Sequence, residues 1–354
     1  MRSTIVGMTS LTEQLPYVYA FPDALGTGLL VHTESVLDDE IRDRIGSFIH
    51  EYEVVLSRFR DDSIVGRMRT AAHGGTFDFP DWASGLFGLY DRLFAATDGA
   101  TDPCVGEDLI RLGYDPALSF TVEADAGERL GALHGRAVWG RDVVRSSGTT
   151  LVTRSPVHVD FGACGKGYLV DSLGGLLTDS ELSRTSHVKS AETTNPTCQS
   201  STSDSKRESA APEFVIDAGG DLLARTNKPI RVALEDPDDP SCAVGVALIG
   251  DGAFCASAPS RRHWEVAVNE QTHLAIHHLL NAIDGLPVQQ TEATWVAVRS
   301  ASFGGYPTAV ADGLATALFV ADPNELRSVF VFDCATLDAD RHATISAGFP
   351  GRFF

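Results

Sequence analysis

The most constraining feature of this sequence is a glycine-rich stretch at residues 158–171, which reads HVDFGACGKGYLVD. An apolar run ends at Asp160, and Lys166 then stands between the last two of three closely spaced glycines. Turns of this kind between a strand and a helix expose backbone amides and carbonyls, and they often face phosphates. The stretch has neither standard nucleotide-binding pattern, G-x-G-x-x-G or G-x-x-x-x-G-K-[ST]. It predicts a strand, a turn and a helix over about 166–178, with Lys166 either neutralising a phosphate or pointing to solvent.

The bulk composition excludes several classes of function. The 354 residues are 43% hydrophobic, which is enough for a substantial core in one large domain or two. A formal net charge of −20 disfavours binding to nucleic acid or to anionic membranes. No apolar stretch approaches the roughly 18 residues of a membrane span, and the N-terminus lacks the apolar segment of a signal peptide. The six cysteines lack C-x-x-C spacing and are interpreted as reduced, buried thiols, so we expect a cytoplasmic protein.

Hydrophobic periodicity indicates where helices and strands lie, whereas the expectation of an α+β fold, with mixed β-sheets flanked by helices, rests largely on the family resemblance described below. The predicted helices cover residues 35–56, 82–97 and 311–321. The predicted strands lie within 17–33, in pieces of 119–160, and at 293–299 and 328–333. The stretch FVIDAGGDLLA at 214–224 repeats the order of apolar run, aspartate and glycines seen at 158–167, which suggests an internal duplication.

The chain is interpreted as a single domain over 17–354 that follows an N-terminal tail, residues 1–16. Residues 183–212 differ in kind from their surroundings, because they are rich in serine and threonine and poor in large apolar side chains. Such a segment buries too little apolar surface to offset the entropy of ordering. We expect a disordered insertion here and not a domain boundary, since strand patterns resume on both sides.

A carboxylate and a hydroxyl on one helix face form a candidate metal site. Asp312 and Thr316 are four residues apart, so their side chains lie one turn apart on the predicted helix. Mg²⁺ prefers such oxygen ligands, and a main-chain carbonyl from Ala163 or Gly165 could complete its shell. The alternative is that Asp312 caps the helix and Thr316 only packs.

Histidines and an aspartate loop are further candidates for chemistry. His273, His277 and His278 lie near a predicted strand end, where a neutral imidazole could act as a general base. Zinc binding by the three is disfavoured, because adjacent side chains of a strand face opposite ways. Packing without chemistry is the alternative for each of them. Asp102, in the loop TDGATDP, either lies near a ligand or belongs to an ordinary turn.

Seven stretches in the same order resemble the ApbE-type FAD:protein FMN transferases. They span about residues 21–330 and include the two glycine turns, the aspartate loop and the late helix. The stretches are LGT (25–27), SRFRDDS (57–63), TDGATDP (97–103), VDFGACGKGY (159–168), GGD (219–221), HLLNAIDGLP (278–287) and ADGLATAL (311–318).

The resemblance implies that the chain binds FAD with Mg²⁺ and transfers the FMN moiety to a threonine hydroxyl, releasing AMP. The implied partner is an acceptor flavoprotein with an FMN-binding domain and an acceptor threonine. His278 matches the catalytic histidine, and Ala163, Asp312 and Thr316 match the metal ligands. The residues implied in FAD binding are Leu25, Arg69, Ala100, Thr101, Asp102, Asp160, Lys166 and His278.

The sequence departs from the family pattern at several of these positions. Leu25 replaces a methionine, Arg69 replaces an asparagine, and the family's H-I-I-D-P-x-T-G becomes HLLNAIDG, without its proline. Two other functions therefore remain open. One is an FAD pyrophosphatase that gives FMN and AMP, in which water replaces threonine, and the other is a non-catalytic FAD-binding protein.

Overall fold

The computed structural model of the chain describes residues 10–191, 212–269, 272–300 and 305–354. Within these ranges, the side chains of residues 180–191 and 266–274 are not described. Residues 192–211 of the predicted insertion therefore lie outside the described residues, as does the side chain of His273.

Helices and antiparallel strands together build the described ranges, and the predicted α+β fold is confirmed. The helices are α1 (Leu11–Gln14), α2 (Asp39–Leu56), α3 (Ile64–Thr70), α4 (Ala83–Ala96), α5 (Gly106–Arg111), α6 (Ala126–Arg129), α7 (Gly162–Ala191), α8 (Pro307–Ala317) and α9 (Pro323–Arg327). The strands are β1 (Tyr17–Phe21), β2 (Leu29–Thr33), β3 (Gly75–Asp78), β4 (Val143–Arg145), β5 (Thr150–Thr153), β6 (Phe214–Asp217), β7 (Asp221–Arg225), β8 (Ile230–Glu235), β9 (Ala243–Ile249), β10 (Gly252–Ser257), β11 (His263–Asn269), β12 (Thr272–His277), β13 (Leu280–Asn281), β14 (Leu286–Pro287), β15 (Thr291–Arg299), β16 (Asp333–Asp338), β17 (Ala343–Ile345) and β18 (Gly351–Phe353).

The largest sheet has the strand order β1-β2-β6-β7-β10-β15-β16-β17, and every neighbouring pair in it is antiparallel. Smaller sheets have the orders β18-β9-β8 and β3-β5-β4, while β11 pairs with β12 and β13 with β14. The predicted strands within 17–33 and at 293–299 are confirmed. The predicted strand at 328–333 is wrong, because these residues follow the end of α9 and β16 begins only at Asp333.

The central strands of the large sheet bury side chains on both faces. In β10, Ala253 and Cys255 belong to one core, while Phe254 between them belongs to the other. Strands β6, β7 and β15 divide their residues in the same way, because successive side chains of a strand face opposite sides. Helices α2, α4, α7 and α8 contribute to the first core, and β8 and β9 contribute to the second. The turn between β6 and β7 is thus held by strands that are covered on both sides.

Helices α7 and α8 are fixed against each other by two buried contacts. The Asp171 carboxylate of α7 accepts hydrogen bonds from the amides of Thr308 (3.0 Å) and Ala309 (2.8 Å), in the first turn of α8. These amides have no partner within their own helix. Burial raises the pKa of Asp171 to about 7. At Gly167, a Cβ atom would lie only 2.4 Å from the Thr308 carbonyl oxygen, so the absence of a side chain there allows the close approach.

Three boundaries predicted from the sequence differ in the structure: the end of the tail, the start of the helix after Asp160 and the start of the insertion. The last residues of the predicted tail 1–16 are structured, since α1 occupies Leu11–Gln14 and Leu15 is fully buried in the second core. Helix α7 begins before residue 166 and continues to Ala191, beyond the predicted start of the insertion at 183. None of the helices in the described residues is long and apolar enough to cross a membrane.

The two stretches that suggested a duplication have different structures. Residues 155–161 are not in a strand, and the glycines after Asp160 lie in α7. In contrast, Asp217 ends β6, and Gly219 and Gly220 form a turn into β7. The similarity of the two stretches is therefore one of residue order alone.

Candidate active site

A cavity of about 600 Å³ lies between the first turn of α7, the end of α2, the loop at 100–103, the segment 278–285 and α8. The segment 278–285 is called the His278 loop below. A volume of this size is typical of ligand pockets, which span about 300–1,000 Å³. Ten of the eleven residues predicted for the site line it: Leu25, Ala100, Thr101, Asp102, Asp160, Ala163, Lys166, His278, Asp312 and Thr316.

The glycine-rich turn forms one wall of the cavity and begins α7. Asp160 ends the preceding segment, and its carboxylate accepts a hydrogen bond from the Gly162 amide. Tyr52 of α2 donates its hydroxyl hydrogen to the Gly165 carbonyl at 2.8 Å. Of the two carbonyls considered as metal ligands, that of Gly165 is thus already engaged, and that of Ala163 is the better candidate.

Lys166 does not point freely to solvent, because its ammonium group forms an ion pair with the fully buried Asp221 at the start of β7. Burial alone would lower the pKa of Lys166, but the carboxylates of Asp221 and Asp312 outweigh it and hold that pKa above its usual range. Lys166 therefore carries its charge at the wall of the cavity. One Asp221 oxygen, Oδ1, is buried without a hydrogen-bond partner.

Asp312 and Thr316 lie on one side of α8 and both line the cavity, as their spacing predicts. Asp312 is in the middle of the helix and does not cap it; its Oδ2 accepts a hydrogen bond from the Gly167 amide at 3.0 Å. Burial is the main cause that raises the pKa of Asp312 well above its ordinary value, and repulsion from Asp221 raises it further. A bound cation would stabilise the charged form of this carboxylate.

The residues at this wall fit a hard divalent cation. The Ala163 carbonyl, the Asp312 carboxylate and the Thr316 hydroxyl supply oxygen atoms only, which is the donor type that Mg²⁺ prefers. Among the described residues, no three His, Cys, Asp or Glu side chains are grouped as in a zinc site. The donor set therefore suits magnesium better than a transition metal.

The structure separates the roles of the adjacent histidines. His277 is buried and structural, because its Nε2 donates to the Val288 carbonyl (2.8 Å) and its Nδ1 accepts from the Leu279 amide. His278 faces the cavity, and its Nδ1 lies 3.2 Å from the Arg262 carbonyl. Since a carbonyl can only accept, Nδ1 carries the hydrogen and Nε2 has a free lone pair. Burial lowers the pKa of His278 to about 4, which keeps the ring neutral.

The loop at 100–103 is held in place by hydrogen bonds of its backbone and of the Asp102 carboxylate. The Ala100 carbonyl accepts a hydrogen bond from the Ala282 amide at 3.0 Å, which joins this loop to the His278 loop. Asp102 is buried, and its carboxylate accepts from the amides of Cys104 (2.7 Å) and Trp139 (3.3 Å). The turn interpretation of Asp102 is thus correct, although the residue also lines the cavity.

The end of α2 and the segment after it form the part of the wall that contacts the glycine-rich turn. The buried Arg58 pairs with Asp160 and donates to the Tyr114 carbonyl at 2.8 Å, with its guanidinium over the Tyr114 ring. The Leu25 amide donates to Glu53 at 2.7 Å, which holds Leu25 in a left-handed conformation with φ of +52°. Asp160 therefore reaches the cavity with its charge already offset by Arg58.

Arg69 does not line the cavity, and its predicted contact with FAD is not supported. Its mostly buried side chain forms an ion pair with the exposed Asp61, and it borders a separate small space beside Ile110 and His158. The physical reason is that α3 packs with Met68 inward, which directs its neighbour Arg69 away from the ligand cavity.

Several site residues were not predicted from the sequence. Arg58 lies inside the stretch SRFRDDS, and Asp221 ends the GGD turn. Both stretches carry the family resemblance, but they did not indicate a role for these two residues. Tyr52 and Arg262 have no sequence signal of their own, because only the fold brings them to the cavity.

Comparison with known proteins identifies the fold and the family. The sequence model of the ApbE family matches residues 25–186 and 202–339, whereas no curated protein matches the chain. The ApbE protein of Thermotoga maritima has a similar structure, with a TM-score of 0.70, 17% identity and coverage of 94% of this chain and 97% of that chain. For the flavin transferase ApbE of Vibrio cholerae, the TM-score is 0.67 and the identity 18%, with coverage of 94% of this chain and 97% of that chain. For the flavinyl transferase ApbE of Pseudomonas stutzeri, the TM-score is 0.65 and the identity 19%, with coverage of 94% of each chain. From the extent of the family match, this chain belongs to the ApbE family.

Proposed function

We propose that this protein transfers the FMN moiety of FAD to a threonine hydroxyl of an acceptor flavoprotein, in a Mg²⁺-dependent reaction that releases AMP. The observation that carries the proposal is the convergence in one cavity of Lys166, the neutral His278 and the oxygen donors around Asp312. The names of two similar structures, flavin and flavinyl transferases, support the same reaction class.

Cationic side chains reach the cavity of a chain whose net charge is −20, although Lys166 and Arg58 are each paired with an aspartate. Lys166, Arg58 and Arg262 all line it. The Lys166 ammonium would neutralise the pyrophosphate as negative charge moves to the leaving AMP. Bound Mg²⁺, held by the Ala163 carbonyl, Asp312 and Thr316, would supply Lewis-acid stabilisation of the phosphate oxygens.

His278 would act as the general base. Its Nε2 would accept the proton of the acceptor threonine while the threonine oxygen attacks the phosphorus of the FMN half. The bond from that phosphorus to the AMP oxygen breaks, and a phosphodiester between threonine and FMN results. The Arg262 carbonyl fixes the tautomer by accepting from Nδ1.

The test is to incubate the protein with FAD, Mg²⁺ and an acceptor domain that a known flavin transferase labels, and to record flavin fluorescence in a denaturing gel. The expected result is labelling by the wild type and its loss in Asp312→Ala and His278→Ala. His342→Ala is the matched control, because this histidine is exposed in the turn between β16 and β17 and does not line the cavity.

The outcomes of this experiment separate the candidate functions. No labelling by the wild type would contradict the proposal. Release of AMP and FMN at the same rate with and without the acceptor would instead indicate an FAD pyrophosphatase. Binding of FAD without release of AMP would indicate a non-catalytic flavin-binding protein.

The pH dependence tests the role of His278 further. Because burial lowers the pKa of His278 to about 4, the neutral base is present throughout the range from pH 5.5 to 8. The single-turnover transfer rate should therefore show no acid limb near the ordinary histidine pKa of about 6.5. An acid limb near pH 6.5 in the wild-type profile would contradict this assignment.

A further inference from the structure

Local hydrogen bonds shape the His278 loop, residues 278–285. The side chain of Asn281 accepts from the Ile283 amide at 3.0 Å, and Asp284 accepts from the Leu286 amide at 2.9 Å. The Gly285 amide closes the turn onto the Asn281 carbonyl at 2.7 Å. These bonds define the shape of the turn, but they do not attach it to the rest of the site.

A buried arginine attaches the loop through a side chain, in addition to the backbone bond from the Ala282 amide to the Ala100 carbonyl. Arg136 is fully buried, and its Nη2 donates to the Ala282 carbonyl at 2.6 Å, four residues after His278. Its Nη1 donates to the Ala137 carbonyl and lies 3.5 Å from Asp102, in the loop that borders the cavity. Its Nε lies 2.8 Å from Asp108, out of hydrogen-bond alignment. One guanidinium therefore contacts both the His278 loop and the segment 102–108.

The segment just before Arg136 packs against the same loop. The amides of Ala132 and Leu133 donate to the carbonyls of Ala282 (3.2 Å) and Ile283 (3.0 Å). At Gly131, which has φ of +77°, a Cβ atom would lie 2.4 Å from the Ile283 carbonyl oxygen. The loop thus has backbone contacts on one side, and the buried guanidinium is the charged group that joins them to Asp102 and Asp108.

We propose that Arg136 is a positioning residue, which fixes the His278 loop against the loop at 100–102 together with the hydrogen bond from the Ala282 amide to the Ala100 carbonyl. Two buried carboxylates hold the guanidinium, and the Ala282 carbonyl accepts from it. A lysine could not make these contacts together, because a single ammonium nitrogen cannot reach four acceptors in different directions. The consequence for catalysis rests on the proposed function, whereas the positioning itself does not.

The direct test is hydrogen exchange at residues 279–285 in Arg136→Lys. The matched control is Arg111→Lys, since Arg111 is also buried between two acidic residues, Glu107 and Glu123. We expect exchange of the Ala282 and Ile283 amides to rise about tenfold or more in Arg136→Lys and to stay within about twofold of the wild type in Arg111→Lys. Equal exchange in both variants, whether unchanged or raised, would overturn the proposal.

Two further measurements keep the proposal testable. If Arg136→Lys does not fold, Asp108→Asn removes one of the two carboxylates, and unchanged exchange of the Ala282 amide in that variant would overturn the proposal. With FAD and the acceptor domain, Arg136→Lys should lower kcat about tenfold, because small misplacements of catalytic groups are costly, and Arg111→Lys should not. Wild-type protein that labels no acceptor would refute the proposed function alone, because the exchange result stands without it.

Discussion

The turn at 160–167 and the turn at 217–221 each place an aspartate before two or more glycines, yet the first begins a helix and the second joins two strands. Backbone conformation separates them. Gly219 and Gly220 have positive φ angles of +69° and +109°, whereas the three glycines of the first turn do not. The second turn uses glycine for its conformational freedom, and the first uses it for close approach of neighbouring atoms.

The two turns also meet, through the ion pair of Lys166 with Asp221. The helical turn supplies a cation at the cavity wall, and the hairpin turn supplies a carboxylate buried beneath it. The two stretches, which have a similar order of residues, thus supply the two partners of one ion pair at the site. Substitutions that affect only one of the two turns can test each half of this comparison.

The largest effect is expected from Lys166→Met, which leaves Asp221 buried without its partner. We expect the free energy of unfolding to fall by about 3 kcal/mol, as for other broken buried pairs. Adding Asp221→Leu should recover most of this loss, because an apolar pair avoids the desolvation of a charge. Urea unfolding of both variants checks this. A double variant as unstable as Lys166→Met would show that Asp221 is not what Lys166 stabilises.

Gly167→Ala should have the next largest effect, since its Cβ would lie 2.4 Å from the Thr308 carbonyl oxygen and push α7 from α8. Overpacking of this kind costs about 2 kcal/mol. Gly175→Ala is the control in the same helix, because no atom lies within 4 Å of its Cβ position. Similar unfolding midpoints in urea for the two variants would contradict the close-approach interpretation.

Gly220→Ala should lower the free energy of unfolding by about 1 kcal/mol through backbone strain alone. Its φ is +109°, and its Cβ position is free of neighbouring atoms. Gly250→Ala, in the open loop before β10, also has free space but no positive φ, and it should be nearly neutral. The comparison of thermal midpoints is the measurement, and an equal loss in both would argue against strain.

The smallest expected effect has the opposite sign. In Gly165→Ala the new Cβ would lie 3.6 Å from the Tyr52 hydroxyl, which is ordinary contact. Because alanine is favoured over glycine inside a helix, we expect a gain in stability of up to about 1 kcal/mol. Flavin transfer should be unchanged, since Tyr52 bonds the carbonyl of this residue and not a side chain. Loss of stability would mean that the first turn also needs glycine for its conformation.

The local patterns were sufficient for much of the fold. The apolar positions of α2, from Ile41 to Leu56, predicted its buried face, and the spacing of Asp312 and Thr316 placed both on one side of α8. These predictions succeeded because helix and strand periods are local properties of the chain. The strand at 328–333 failed although Phe330 and Phe332 are buried and Val329 and Val331 are exposed in alternation, because the pairing of this part of the chain with β15 begins only at Asp333.

The sites that the sequence alone did not indicate depend on long-range contacts. Arg58 and Asp160 are far apart in the chain, and only the fold pairs them; the same holds for Arg136 and the carbonyl of Ala282. Arg69 was assigned to FAD by its place in the family pattern, but its side chain packs beside Ile110 and His158 and does not line the ligand cavity.

By itself, the sequence determined the α+β class, the order of the motifs and the residue types available for a magnesium–phosphate site. Tertiary structure alone decided that Lys166 pairs with Asp221, that His278 and not His277 faces the cavity, and that the glycines of the two turns act differently. The physical reason is that charge pairing, burial and backbone strain depend on neighbours distant in the chain, whereas periodicity and residue type do not.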